Sequence, residues 1–152
     1  MLNEKIMAIT YSGIRDGEEQ SIKELVLRCD LNADHLTTNE LRNFILARKG
    51  GRIVGAVGLE ITGNSGVVRS LCVMKNHRSQ GIGKKLAVYI EKYAKSRGIE
   101  ALYLLTLTAK DFFSKMGYSQ INRNSVPKGI KKIPEFKNLC PDTAVCMLKQ
   151  LK

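Results

Sequence analysis

The turn Arg78–Gly83, which reads RSQGIG, decides the fold of this chain. It follows the run Val67–Val73, which is typical of a strand, and it precedes Lys84–Arg97, which has the pattern of a helix. Glycine lets the backbone approach a ligand closely, and the first amide groups of a helix have no acceptor within the helix and favour an anion. We therefore predict that this turn cradles a pyrophosphate group.

The helix after the turn is amphipathic and leads into a second strand. Gly98 stands where this helix should end, and Ala101–Thr106 is a compact apolar run typical of a strand. Strand, helical crossover and strand predict a parallel pair in a right-handed βαβ unit. The apolar residues that predict one buried helix face are Ile82, Leu86, Tyr89, Ile90, Tyr93 and Ala94.

The rest of the chain predicts mostly antiparallel strands. Phe44–Lys49 and Arg52–Thr62 flank Gly50-Gly51, which is a strong hairpin signal, and a second turn at 63–66 leads into the strand at Val67. The other predicted elements are a first strand at Ile6–Tyr11, helix starts at Asp16 and Thr37, a short helix at Thr108–Met116, strands at Tyr118–Ile121 and Thr143–Lys149, and an irregular segment at 122–142 that holds all three prolines.

Length, composition and charge limit the classes of function. The chain has 152 residues, and a chain of this length is expected to form a single domain, here over 1–152. No apolar run approaches the ~20 residues of a membrane helix, and the N-terminus lacks a signal-peptide pattern, which predicts a cytoplasmic protein without a membrane partner. The net charge of +11 fits a phosphorylated cofactor or nucleic acid, but no basic run is interleaved with aromatic residues, and we expect no nucleic-acid partner.

The chain has four cysteines, Cys29, Cys72, Cys140 and Cys146. Their spacing is not that of a metal site, which predicts free thiols and no bound metal.

Antiparallel strands, the strand–turn–helix around Arg78–Gly83 and the later Phe112–Tyr118 (FFSKMGY) together resemble the GNAT superfamily of N-acetyltransferases. The core of the resemblance covers Ile53–Tyr118. It implies an α/β (α+β) GNAT fold with a central, mixed, mostly antiparallel sheet of about seven strands. The fourth and fifth strands would be parallel and splayed around the cofactor, with helices on both faces. A Rossmann dinucleotide site is disfavoured, because it needs Gly-x-Gly-x-x-Gly early in a parallel unit.

A narrower resemblance concerns the acceptor. Three segments look like arsenic-resistance N-acetyltransferases: Arg69–Val73, Ala101–Tyr118 and Val126–Met147. The strand-to-helix piece LLTLTA is also similar to the acetyltransferase domain of N-acetylglutamate synthase. Both relatives imply the α-amine of a small amino acid as the acceptor.

The superfamily resemblance also implies how the donor is bound. In the superfamily this turn holds the pyrophosphate of acetyl-CoA, and the strand before it pairs with the pantetheine arm like an added strand. Acetyl-CoA is therefore the expected co-substrate, and a backbone N–H of 71–73 would face the thioester carbonyl. The implied cofactor-binding residues are Leu71, Cys72, Val73, Arg78, Ser79, Gln80, Gly81, Ile82, Gly83, Lys84 and Phe113.

Acyl transfer also needs a neutral amine and a stabilised leaving thiolate. Glu60 is the one acid between Arg52 and Val73, and apolar neighbours would raise its pKa toward that of a useful base; the alternative is that it faces solvent. Many superfamily members carry a tyrosine acid where this chain has Phe113. Tyr103 and Tyr118 are candidates for this acid only because they are tyrosines. The reaction can also proceed without an acid, because a thiol with a pKa near ~8.5 gives a thiolate that is an adequate leaving group.

Arg69 is the candidate for acceptor binding. Its guanidinium, in an apolar strand, suits bidentate capture of a carboxylate, and the alternative is a salt bridge to Glu60 on the neighbouring strand. The superfamily often bulges this strand, so the face that Arg69 takes stays open. His77 and His35 are expected on loop surfaces.

The leading hypothesis is an acetyl-CoA-dependent N-acetyltransferase that acts on a small amine by direct attack in a ternary complex. The amine would belong to an amino acid or a similar compound, arsenic-containing ones included. The alternatives are a non-catalytic acetyl-CoA-binding regulator, motivated by Phe113, and a protein N-acetyltransferase. A homodimer is one option for the oligomeric state.

Overall fold

The predicted strands form one mixed sheet within residues 8–34 and 36–151, which are the residues that the computed structural model describes. The strand order is β1-β2-β3-β4-β5-β7-β6. The strands are β1 Ile9–Gly13, β2 Phe44–Lys49, β3 Arg52–Thr62, β4 Ser65–Val73, β5 Ala101–Thr106, β6 Ser119–Ile121 and β7 Val145–Gln150. The helices are α1 Glu19–Arg28, α2 Thr38–Leu41, α3 Ile82–Ser96, α4 Lys110–Lys115 and α5 Lys128–Lys131.

Strand pairing confirms the predicted GNAT-type sheet. The β4–β5 pair is parallel, from Ser65 opposite Ala101 to Val67 opposite Tyr103. Both strands continue beyond these paired residues, whereas β1–β2, β2–β3, β5–β7 and β6–β7 are antiparallel. The parallel pair results from the α3 crossover, because a two-residue turn cannot connect parallel strands.

The chain divides into two compact units, and the first contains residues 8–34, 36–58 and 70–90. Its helix α1 buries one face, formed by Ile22, Leu25 and Val26, as the apolar spacing predicts. Thr37 caps α2 by accepting a hydrogen bond from the Glu40 amide. The core of this unit comprises Ile22, Leu25, Val26, Ala33, Leu36, Leu41, Phe44, Leu46, Ala56 and Cys72.

A charged side chain lies inside this first unit. Arg48 on β2 is 1% exposed and donates from Nε to Glu18 at 3.0 Å and from Nη2 to a second oxygen of the same carboxylate. Its remaining donors reach the Ser12 hydroxyl at 2.5 Å and the Gly13 carbonyl at 2.9 Å. Partial burial works against the charge of Glu18, but the hydrogen bonds from Arg48 and from the Arg15 amide lower the pKa of this carboxyl.

The second unit contains residues 59–69 and 91–151. The prediction that 122–142 is irregular was wrong, because this segment forms a 3₁₀ turn (Arg123–Ser125), α5 and a π-helical turn (Glu135–Leu139). Arg123 holds the segment together by donating to the carbonyls of Glu135, Phe136, Cys140 and Pro141. Its apolar residues join the core of this unit, which comprises Val67, Ala101, Tyr103, Val126, Ile130, Ile133, Phe136 and Cys146.

Several sequence predictions need adjustment. Helix α3 begins at Ile82, two residues before the predicted start, and Tyr89, expected on its buried face, is 40% exposed and stacks on Tyr11. Strand β1 begins at Ile9, and the predicted residues Ile6 and Met7 lie outside the described residues. The single domain over 1–152 stays a prediction.

Candidate functional site

The turn between β4 and α3 has a backbone that only a few residue types adopt readily. Ser79 (φ 65°) and Gly81 (φ 81°) are both in the left-handed region. Before them, Lys75–His77 form a 3₁₀ turn, and the Met74 amide, next to Val73, donates to the Val54 carbonyl at 2.8 Å. Left-handed residues beside a helix start turn backbone amides toward one side, which makes an anion-binding hollow. The turn for which the sequence predicts a pyrophosphate site thus has two left-handed residues in front of α3.

The side chains around this turn divide into buried anchors and exposed groups. Ile82 is 2% exposed and fixes the start of α3, and Cys72 is buried in β4. Arg78 is exposed, and its Nε donates to the Val73 carbonyl at 2.9 Å, so the guanidinium folds back on the end of its own strand. The other exposed residues of the predicted donor set are Ser79, Gln80, Gly81 and Lys84, while Leu71, Val73 and Gly83 are half-buried.

One neighbour of the turn differs from its prediction. His77 was expected on the loop surface, but it is 6% exposed, and its Nδ1 lies 3.0 Å from the Asn76 amide oxygen. The tight 3₁₀ turn directs the ring inward, which a sequence without periodicity does not reveal. His35 lies outside the described residues.

Phe113 and two tyrosines lie in the second unit, where they are buried. Phe113 on α4 packs edge-on against Tyr118, with ring centroids 5.4 Å apart. Burial, together with the negative charge of Glu91, raises the pKa of Tyr118, and burial with a smaller effect of Cys146 raises that of Tyr103. Both phenols therefore stay protonated at neutral pH, and both pack within the second unit.

A cluster of three charged side chains lies in the second unit. Arg69 on β4 is 7% exposed, and its Nη1 lies 3.4 Å from Glu60 on β3 and 3.0 Å from Glu135 in the π-helical turn. The two glutamate side chains are 22% and 11% exposed. Next to Arg69, Ser70 has φ 55°, which interrupts the extended backbone of β4. With two carboxylates and one guanidinium, the cluster has a formal charge of −1.

The cluster contains the salt bridge that the sequence analysis gave as one alternative for Arg69, and it includes one residue that was not predicted. The salt bridge between Arg69 and Glu60 is present. Glu135 was missed, because it lies in the segment that the prolines marked as irregular. An acid directly after Pro134 was the available signal, since a proline suits the start of a helical turn.

Within residues 8–34 and 36–151, no group of three His, Cys, Asp or Glu side chains could hold a metal ion. In the same part of the chain, no helix is long and apolar enough to cross a membrane.

Comparison with known proteins adds to this geometry. The sequence model of the acetyltransferase (GNAT) family matches residues 8–118. An uncharacterised N-acetyltransferase of Chlorobaculum tepidum is 30% identical over 107 residues, which are 70% of this chain and 66% of the relative. The amino-acid acetyltransferase of Vibrio vulnificus is 28% identical over 126 residues, 82% of this chain and 27% of the relative.

A solved structure shows the same fold. The N-acetylglutamate synthase of Neisseria gonorrhoeae, complexed with coenzyme A and N-acetyl-glutamate, superposes with a TM-score of 0.83 at 16% identity. The match covers 95% of this chain and 35% of that protein. This chain thus spans less than two thirds of the length of each of these three relatives.

Proposed function

The chain belongs to the acetyltransferase (GNAT) family, and on this basis we propose that it is an acetyl-CoA-dependent N-acetyltransferase that acetylates the amine of a small molecule, an amino acid or a similar compound. The observation that carries the donor assignment is the turn at Arg78–Gly83, with its two left-handed residues in front of α3. The +11 charge of the chain and the N-acetyltransferase names of its relatives support the same activity.

The donor is bound by the backbone at the end of β4 and the start of α3. The first amides of α3 bind the pyrophosphate, and Arg78 and Lys84 add positive charge. The backbone of 71–73 pairs with the pantetheine arm, and one of its N–H groups polarises the thioester carbonyl as negative charge develops on the oxygen. Because Phe113 has no proton to give, the thiolate leaves unprotonated and takes its proton from solvent.

Gly81 offers a direct test of donor binding. We expect Gly81→Val to weaken acetyl-CoA binding at least about tenfold, because a β-branched residue at φ 81° costs ~1–2 kcal/mol and pulls the turn toward φ < 0. Titration calorimetry with acetyl-CoA measures this effect. Gly51→Val is the matched control, since Gly51 has φ 80° and, like Gly81, open space where a Cβ would stand. Equal loss of affinity in both variants would contradict the assignment.

The charged cluster of the second unit fits an amino acid as the acceptor. Arg69 binds the acceptor carboxylate, in competition with Glu60 and Glu135, and the net negative charge of the cluster favours the acceptor ammonium. Glu60 then takes a proton from the ammonium, and the neutral amine attacks the thioester carbon directly. The C–N bond forms, the nitrogen loses its second proton to solvent, the C–S bond breaks, and coenzyme A leaves as a thiolate.

Two glutamine variants separate a base from an ion-pair partner. Glu60→Gln should lower kcat by about 10²-fold, because general-base catalysis contributes about that much or more. Glu135→Gln removes a similar contact with Arg69 but no base, so its kcat should stay within about threefold of the wild type. Steady-state kinetics over pH 6–9 measures both. Equal kcat losses in the two variants would remove Glu60 from the role of base.

The proposed activity is tested by the release of coenzyme A thiol. The purified protein is assayed with acetyl-CoA and a panel of amino acids, simple amines, a peptide N-terminus and one arsenic-containing amino acid, which the sequence resemblance brings into the panel. Turnover of amino acids supports the proposed acceptor class. Tight acetyl-CoA binding without turnover would favour a regulator, and turnover of the peptide alone would favour a protein N-acetyltransferase. The absence of both acetyl-CoA binding and turnover would refute the proposal. We also propose that the protein is cytoplasmic. Its oligomeric state, monomer or homodimer, can be measured by analytical ultracentrifugation.

A further inference from the structure

Two thiols that acetyl transfer does not use lie in the same core cluster of the first unit. Cys29 lies at the C-terminal end of α1 and Cys72 on β4, and Cys29 packs against the core cluster that contains Cys72. The Cys29 sulfur also lies 3.7 Å from the Val73 carbonyl and 3.9 Å from Arg78 Nη2. The Cys29 sulfur therefore lies beside the backbone of the residue that follows Cys72, and the Arg78 guanidinium stands next to it.

The two thiols differ in access. Cys29 is half-buried and lines an open cavity of about 690 Å³, whereas Cys72 is 6% exposed and belongs to the core. The lining of the cavity also carries Arg28, Lys75 and Arg78, with Asp30 beside them. A molecule in the cavity can thus reach Cys29 before Cys72, and three cationic side chains favour an anionic molecule.

The two thiols also differ in protonation. The hydrogen bond from Cys72, helped by Arg78 and opposed by burial, lowers the pKa of Cys29 to about 6. The same contact with Cys29, together with burial, raises the pKa of Cys72. Cys29 is therefore the thiol of the pair that loses its proton more readily, and the thiolate is the nucleophilic form of cysteine.

We propose that Cys29 and Cys72 form a dithiol modification site that reacts with small anionic disulfides. The Cys29 thiolate attacks one sulfur of the disulfide, the disulfide bond breaks, and the first small thiolate leaves and takes a proton from water. Cys72 then loses its proton to water and attacks the Cys29 sulfur, which releases the second small thiol. The products are a Cys29–Cys72 disulfide and two reduced small thiols, so the two-electron exchange is balanced. Neither step requires acetyl transfer.

The proposed site has a consequence for the turn at Arg78–Gly83. Oxidation converts the Cys29 thiol beside Arg78 into a disulfide sulfur and ties α1 to the part of β4 that precedes the turn. If the turn binds acetyl-CoA as proposed above, donor binding should change on oxidation. This consequence rests on the proposed function, whereas the dithiol chemistry does not.

The test uses glutathione disulfide as the anionic probe and cystamine as a cationic probe of the same reaction type. Intact-mass and non-reducing peptide mapping of the wild-type chain should show loss of two hydrogens and a Cys29–Cys72 link. Cys72→Ser should stop at one glutathionyl group on Cys29, and Cys29→Ser should leave Cys72 unmodified. Cys140→Ser is the matched control and should react as the wild type does, because partial burial raises the pKa of Cys140.

The expected rates give a second criterion. Cys29 should react at least about tenfold faster than Cys140, and glutathione disulfide should react faster than cystamine. The wild-type measurements need no variant to fold, so loss of structure in a variant cannot obscure the result. Modification of Cys140 before Cys29, equal rates with both probes, or absence of the Cys29–Cys72 link would each overturn the proposal.

Discussion

Replacing Arg69 with methionine should lower the free energy of unfolding by about 3–5 kcal/mol, the usual cost of removing one partner of a buried ion pair. The carboxylates of Glu60 and Glu135 both contact Nη1 of this guanidinium. Without it, both largely buried carboxylates lose their ion-pair contact with Nη1, and Glu60 also loses a charge-assisted hydrogen bond. Urea denaturation of wild type and Arg69→Met measures this loss, and a change below about 1 kcal/mol would contradict the importance of the cluster.

Arg69→Lys separates acceptor binding from stability. Lysine keeps the positive charge but not the planar fork, so most of the stability should remain. For an amino-acid acceptor we expect KM to rise by about 30-fold, because a charged contact to a carboxylate contributes ~2 kcal/mol or more. An amine of similar size without a carboxylate is the matched acceptor, and its KM should change little. Equal KM changes for both acceptors would leave Arg69 with a structural role alone.

Replacing Arg48 with methionine should have a comparable effect on the first unit, lowering the free energy of unfolding by about 3 kcal/mol or more. Arg48 is 1% exposed and is the donor to Glu18, Ser12 and the Gly13 carbonyl. Methionine fills much of the same volume but donates no hydrogen bond. In Arg48→Met, the Glu18 carboxylate keeps its hydrogen bond from the Arg15 amide but loses the guanidinium that balances its charge. The double variant Arg48→Met/Glu18→Gln removes that charge and should therefore recover part of the lost free energy of unfolding. A double variant as unstable as the single one would show that the ion pair itself matters little.

The same pair predicts a dependence of stability on pH. The pKa of Glu18 is lower in the folded chain than its ordinary value of 4.5. Its contribution is therefore complete above pH 4.5 and is lost as the pH falls through the lower, folded value. Urea curves at about pH 7 and about pH 3 should show a smaller difference in Arg48→Met than in the wild type. An identical pH difference in both proteins would contradict the lowered pKa.

Local patterns explain why much of the fold could be predicted. The glycine pair at 50–51 fixes β2 and β3, and the step of three and four residues fixes the buried face of α3. The turn before α3 could be predicted as a donor site for the same reason, since its glycines and the helix that follows are neighbours in sequence. The residues expected to bind acetyl-CoA were therefore predicted from local sequence and family resemblance.

The missing parts depend on contacts between distant residues. Arg48 looks like a solvent-facing strand residue, and its partner Glu18 lies 30 positions away. Glu135 and Arg69 likewise meet only after the segment 122–142 has folded, and the prolines of that segment predict loop rather than helical turns. Cys29 and Cys72 are 43 positions apart, and no spacing rule links them. Long-range polar pairs leave no periodic trace in one sequence.

The left-handed Ser70 limits how β4 can vary among descendants of this chain. At φ 55°, residues that normally favour strands, such as valine and isoleucine, are strained by ~1–3 kcal/mol, whereas glycine, asparagine and aspartate are accepted more readily. Mutational drift at position 70 should therefore lead to small or turn-forming residues, although the position lies inside a strand. A sequence that carries a β-branched residue there would have lost the break in the strand and, with it, the present placement of the side chains that follow.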